Sequence, residues 1–149
     1  MPSMFGEFIK RLTQPDPTPL PDADARLALT ALMVRIARAD GRYSAAEVAR
    51  IDSICARRYG LDSMGATALR AQAEALETEA PDTVRFTRAI KDAVPYDARL
   101  DVIEALWEVV LADGTRAHEE DAMVRMATGF LGISDRDSAI ARQKVNGAQ

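Results

Sequence analysis

The sequence is poor in cysteine, histidine, lysine and aromatic residues. Its single cysteine, Cys55, excludes an intrachain disulfide and is typical of a reducing compartment. Aromatic residues make up 5% of the 149 residues, so the predicted core is aliphatic and rich in alanine, the strongest helix former. The net charge of −4 argues against nucleic-acid binding, which requires a concentrated basic surface.

Long hydrophobic runs and alternating patterns are also missing. No run approaches the roughly 18 consecutive apolar residues that a membrane span requires, which predicts no transmembrane segment. The first residues, MPSMFGEFIKRL, contain no apolar run long enough for a secretory signal, so we expect a soluble, cytoplasmic protein. No stretch alternates apolar and polar residues as strands do, so the predicted fold is all-α.

The chain divides at a proline-rich stretch. Residues 1–21 are predicted to contain a short amphipathic helix over residues 4–13, followed by a stiff linker with the sequence QPDPTPLPD. The apolar face of that helix is expected to pack on the main domain, with weak attachment to a membrane surface as the alternative. Residues 22–149 are predicted to form one compact helical domain.

Helical periodicity and capping residues predict a bundle of about seven to eight helices in all. The helices at about 23–40 and 97–113 are apolar around most of their circumference and should be largely buried. The predicted helices of the main domain span about 23–40, 45–59, 63–78, 82–93, 97–113, 117–131 and 134–145.

An internal repeat is the most informative feature of the sequence. The stretch ARADGRYSAAEVARI, residues 37–51, is echoed by VLADGTRAHEEDAMV, residues 110–124. Each copy places a Glu seven residues after the Asp of an Asp-Gly pair, and each unit ends in a similar motif, YGLD or LGIS. We refer to Asp40–Glu47 as the first bend and to Asp113–Glu120 as the second bend. The repeat predicts a pseudo-twofold core.

Two interpretations of the bends are open. In the structural one, Gly41 and Gly114 close helices that end at the Asp residues, and Ser44 and Glu47 form a capping box. However, Asp is unfavourable at the negative end of a helix dipole, and the second bend keeps Glu120 although Ala117 replaces the capping Ser. In the metal interpretation, the repeated Asp and Glu provide oxygen ligands for a hard divalent cation. The spacing is not that of an EF-hand.

The segment RIARADGRYSAAEVARIDSICARRYGLD resembles the TerB-like family, which includes the tellurite-resistance TerB proteins and the helical domain of a membrane-anchored DnaJ-like co-chaperone. The resemblance covers about residues 24–145, although the second copy lacks the Ser, and the chain has no J-domain signature. It implies an all-α bundle with an internal repeat and a role in tellurite or general stress resistance, without established catalytic activity.

The resemblance also implies a ligand set and a kind of partner. The matching metal positions are Asp40, Glu47, Asp113 and Glu120, and the cation would be Ca²⁺, Mg²⁺, Mn²⁺ or Zn²⁺. A protein partner is implied, with membrane-associated complexes among the candidates, and homo-oligomer formation stays open. The alternative is an interaction or scaffold domain that binds no metal.

Other candidates have plainer interpretations. The acidic residues Asp97, Asp101, Glu104 and Glu108 form a stripe on one helix, which is typical of a solvated face but also suits a cationic partner. His118, the only histidine, is expected to be an exposed bystander, and Cys55 to be a core residue. Since no Ser-His-Asp set, Gly-rich phosphate loop or paired thiolates occur, we expect no enzymatic activity.

Overall fold

A computed structural model describes residues 6, 9–10, 22–39, 41–80, 82–110 and 118–147. Within these residues the main domain consists of seven helices and contains no strand, which confirms the predicted all-α fold. The helices are α1 (Asp22–Ala37), α2 (Ala45–Tyr59), α3 (Ser63–Glu79), α4 (Thr83–Ala93), α5 (Tyr96–Val110), α6 (His118–Phe130) and α7 (Asp135–Gly147).

Helices α1 and α5 form the centre of the bundle. Every residue of α1 from 27 to 34 is buried, including Thr30, whose hydroxyl donates to the carbonyl of Arg26 at 2.7 Å. On α5, Ile103, Leu106 and Val109 are fully buried. The two helices contact each other, and α1 packs most extensively on α3, as α5 does on α7. The burial predicted for both helices is therefore confirmed.

The two units close in the same way. Gly60 after α2 and Gly132 after α6 both have left-handed backbones, with φ of 63° and 73°. The next amide in each case donates back into the helix, from Leu61 to the Ala56 carbonyl and from Ile133 to the Thr128 carbonyl. This pattern is that of a Schellman C-cap, and glycine adopts the left-handed conformation without the steric cost of a Cβ.

Each of these turns leads directly into a capped helix. The carboxylate of Asp62 accepts from the amide of Gly65 at 2.7 Å, and the hydroxyl of Ser134 accepts from the amide of Asp137 at 3.1 Å. Both are N-cap interactions, in which a side-chain oxygen satisfies an amide that has no partner within the helix. The internal repeat therefore extends to the hydrogen bonds that join the second and third helices of each unit.

The predicted linker at residues 14–21 and most of the predicted N-terminal helix lie outside the described residues. Gly6, Ile9 and Lys10 are helical, and Ile9 is partly buried against the core of the bundle. The contact of Ile9 agrees with the docked position expected for the apolar face. Within the described ranges, no helix combines the length and apolar character needed to cross a membrane.

We predict that Leu32→Ala will lower the free energy of unfolding by about 2–5 kcal/mol, because the shorter side chain leaves a cavity in the core around α1. Leu32 is fully buried. Met64→Ala is the matched control, since Met64 is 82% exposed, and it should change that free energy by less than about 0.5 kcal/mol. Chemical denaturation of both variants measures the difference. Equal destabilisation would contradict a core centred on α1.

Candidate functional site

The first bend begins earlier than the periodicity predicts. Helix α1 ends at Ala37, and two tighter turns follow, in which Ala39 donates to the carbonyl of Ile36 and Gly41 to that of Arg38. The expectation that this helix continues to residue 40 was therefore wrong, because the chain changes to i→i+3 hydrogen bonds after Ala37. Gly41 has the predicted left-handed backbone, with φ of 80°. Asp40 itself lies outside the described residues.

The capping box predicted for α2 is present. The hydroxyl of Ser44 accepts from the amide of Glu47 at 3.1 Å, and Oε1 of Glu47 accepts from the amide of Ser44 at 3.0 Å. These two hydrogen bonds satisfy two amides that a helix N-terminus leaves without partners. Ser44 and Glu47 therefore have a structural role at the start of α2.

Capping uses only half of the Glu47 carboxylate. The residue is 1% exposed, and its second oxygen, Oε2, is buried without a hydrogen bond of good geometry in the described part of the chain. Buried polar atoms are nearly always satisfied, so an exception calls for a physical cause, such as an ion or an ordered water. The first bend thus contains a buried acceptor that can still take a ligand.

Tyr43 lies within this bend and was not among the residues singled out from the sequence. Its hydroxyl is also buried without a hydrogen bond of good geometry within the described residues, and Arg38 lies over its ring at 5.0 Å from the centroid. Burial and then the neighbouring Glu74 carboxylate raise the pKa of the phenol above its ordinary value, so Tyr43 stays protonated. An aromatic residue directly before a capping Ser is the sequence signal that could have identified Tyr43.

Charged contacts join the end of α1, just before the first bend, to α3. Arg38 donates to Oε1 of Glu77 at 2.9 Å, and Arg35 lies 3.3 Å from Oε2 of the same residue. Arg35 also donates to the main-chain carbonyl of Glu77 at 3.2 Å. These residues are about forty positions apart in sequence, so no local pattern could have predicted their contact. They fix the end of α1 against the end of α3.

The second bend lies mostly outside the described residues, including Asp113 and Gly114. Glu120 belongs to α6, but its side chain is not described, and the same holds for His118. Within the described part of the chain, no three acidic, histidine or cysteine side chains converge as a metal-ligand set. The described side chains include that of Glu47 but not those of Asp40, Asp113 or Glu120, so the predicted four-residue site stays a prediction.

The acidic stripe on α5 faces basic residues of the same chain. Glu108 pairs with Arg57 of α2 at 2.6 Å. Glu104 pairs with Arg58 at 3.6 Å and with Lys144 of α7 at 3.3 Å. The side chains of Glu104 and Glu108 are only 19% and 16% exposed, so this part of the stripe is not a solvated face. The cationic partners of Glu104 and Glu108 are intramolecular and join α2, α5 and α7.

Cys55 is a core residue, as the sequence predicts. It is fully buried, and its sulfur lies 3.7 Å from the hydroxyl of Thr30. Burial raises the pKa of the thiol, which disfavours the thiolate form that a nucleophile or metal ligand would need.

A family model described as tellurite resistance protein TerB matches residues 26–143, which is most of the chain. Neither the curated proteins nor the solved structures contain a significant match.

We predict that Ser44→Ala will lower the free energy of unfolding by about 1 kcal/mol, because the amide of Glu47 loses its cap. Ser63→Ala is the control, since Ser63 lies in the first turn of α3, where Asp62 provides the cap. It should change that free energy by less than about 0.5 kcal/mol. Urea denaturation measures both values. A loss as large in the control would mean that the capping box adds nothing specific.

We predict that Cys55 in the native protein will react with a thiol-specific disulfide reagent at least about a hundredfold more slowly than in denaturant, because attack requires local opening of the core. The reaction is followed by absorbance at mildly alkaline pH. A native rate close to the denatured rate would show that the thiol is accessible.

Proposed function

Because the chain belongs to the tellurite resistance protein TerB family, we propose that it is a non-catalytic helical module of tellurite or general stress resistance that binds divalent cations at its Asp-Gly bends. The proposal includes action in the cytoplasm through a protein partner. The observation that carries the cation site is the buried, unsatisfied Oε2 of Glu47.

An unsatisfied carboxylate oxygen in the protein interior is unfavourable, because it has lost its hydration without gaining a partner. A divalent cation would supply the missing interaction and offset the negative charge. The other oxygen of Glu47 is already held by the Ser44 amide at 3.0 Å, so the carboxylate is oriented before any ion arrives. Such orientation of a ligand by a second contact is common at metal sites.

The donor types at the first bend fit a hard cation. Glu47 provides a carboxylate, Tyr43 of the same bend has a buried hydroxyl, and Asp40 lies next to Gly41 in sequence. Oxygen donors of this kind favour Ca²⁺, Mg²⁺ or Mn²⁺ over Zn²⁺, which prefers nitrogen and sulfur. Asp113 and Glu120 are proposed as the equivalent ligands at the second bend. The bound ion would neutralise the acidic groups and hold together the helices on either side of each bend.

We predict that chelator-treated protein will bind Ca²⁺, Mg²⁺ or Mn²⁺ with micromolar to millimolar affinity, a range common for oxygen-ligand sites outside dedicated buffers. Isothermal titration provides the affinity and the stoichiometry. Asp40→Asn with Glu47→Gln should remove one site, and Asp113→Asn with Glu120→Gln should remove the other. Zn²⁺ should bind more weakly than the preferred ion.

Asp92→Asn is the control for the loss of negative charge, because Asp92 is exposed on α4, away from both bends in sequence. Binding should be unchanged in this variant. If no metal produces heat with the wild-type protein, or if the control loses binding as fully as the bend variants, the cation site is wrong. The capping box would then account for Glu47, and the structural, protein-interaction alternative would stand.

A further inference from the structure

A cleft of about 610 Å³ opens between α5, α6 and α7, on residues that the cation proposal does not use. Trp107 of α5 forms part of its wall and is 2% exposed. Arg125 and Thr128 come from α6, while Ser138 and Arg142 come from α7. This size falls within the range of small-molecule sites, roughly 300–1,000 Å³. The cleft therefore combines a binding-site volume with a polar, cationic lining.

Arg142 is the most informative residue of the cleft. Its guanidinium lies over the ring of Trp107, 5.4 Å from the centroid, and it makes no ion pair with any described carboxylate. Asp135, which also lines the cleft, is not paired with it. Cation–π attraction holds a guanidinium over an aromatic ring while its N–H groups stay available for hydrogen bonds. Arg142 is thus held at the wall of the cleft, and no described carboxylate pairs with it.

Three other described arginines differ in this respect. Arg35 pairs with Glu77, Arg57 with Glu108, and Arg70 with both Asp52 and Glu74. In these three cases a carboxylate neutralises the guanidinium. No described carboxylate pairs with Arg142 in this way, and Arg125 also lines the cleft.

The hydroxyl groups at the base of the cleft add a donor. The hydroxyl of Thr128 donates to the carbonyl of Val124 at 2.8 Å, which uses its only proton. The indole N–H of Trp107 lies 3.4 Å from the oxygen of Ser138, which accepts from it. Ser138 therefore keeps its own proton, which it can give to Thr128 at 3.5 Å or to a ligand. A charged fork and a hydroxyl donor face the same space.

We propose that this cleft binds a small organic oxyanion, with Arg142 donating to a phosphate or carboxylate group, the Ser138 hydroxyl as a further donor, and Trp107 beside the organic part. Guanidinium groups recognise both kinds of oxyanion through paired N–H donors. An inorganic ion would fill only a small fraction of the volume, so the bound molecule carries an organic part. The inference is independent of the cation site.

Trp107 is the only tryptophan in the chain, so its fluorescence reports directly on the cleft. The test titrates the full chain with phenyl phosphate, benzoate, inorganic phosphate and neutral benzamide at constant ionic strength, because salt screens such contacts. We expect saturable changes with phenyl phosphate or benzoate and weaker responses to the other two. The stronger of the two aromatic anions identifies phosphate or carboxylate as the preferred group.

Arg142→Gln should weaken binding of the preferred anion by about tenfold or more, because a charge-assisted pair of hydrogen bonds is lost. Arg136→Gln is the matched control, since it removes the same charge from an exposed position of the same helix that does not line the cleft. Its affinity should equal that of the wild type. Isothermal titration repeats the comparison, because Arg142→Gln alters the environment of Trp107.

Several outcomes would overturn the proposal. The lack of a saturable response to either aromatic anion in the wild-type protein is one of them, and binding of benzamide as tight as that of benzoate is another. Inorganic phosphate binding as tightly as phenyl phosphate would contradict a contribution from the organic part of the ligand. Equal affinity in Arg142→Gln and Arg136→Gln would contradict the proposed contact with Arg142. Should Arg142→Gln fail to fold, Arg142→Lys keeps the charge but not the fork, and unchanged binding there would likewise contradict the proposed contact.

Discussion

The burial of α1 and α5 is the constraint on which the rest of the structure depends. A helix that is apolar around most of its circumference is stable in water only when other helices cover its apolar faces. Contacts with α2 to α6 cover α1, whereas α5 is covered by α1, α2, α6 and α7. Each unit must therefore lead the chain from a buried helix to surface helices within a few residues. The left-handed glycines at 41, 60 and 132 make those reversals possible.

Around this centre, charged side chains join helices rather than only covering the surface. Glu77 holds Arg35 and Arg38 of α1, while Glu104 and Glu108 hold cations of α2 and α7. Against this background of paired charges, two described groups that lack such a partner carry the proposed sites. Glu47 has a buried oxygen without a partner, and Arg142 has a guanidinium that pairs with no described carboxylate. The two groups lie in different units of the repeat. Because their charges are opposite, we assign them ligands of opposite charge.

The two interpretations of the first bend are not exclusive at Glu47. Its Oε1 completes the capping box, and its Oε2 is the atom proposed to meet a cation. A carboxylate has two oxygens, so the same residue can stabilise a helix start and present a ligand. The second bend separates the roles in sequence, because Ala117 replaces the capping Ser while Glu120 is kept. The capping explanation alone therefore covers the first copy better than the second.

The sequence by itself determined the helices, the capping box at Ser44, the burial of α1 and α5, and the family. These features follow from interactions between residues a few positions apart, which a periodic pattern records directly. The sequence pattern misplaced the end of α1, because competing i→i+3 and i→i+4 hydrogen bonds differ little in energy. Only the tertiary structure decided that Glu77 meets Arg35, that Glu104 and Glu108 of the α5 stripe are paired within the chain, that one oxygen of Glu47 lacks a hydrogen bond within the described residues, and that Arg142 lies over Trp107. Each of these depends on which helix faces which, and that arrangement is set by packing of the whole core rather than by any local pattern.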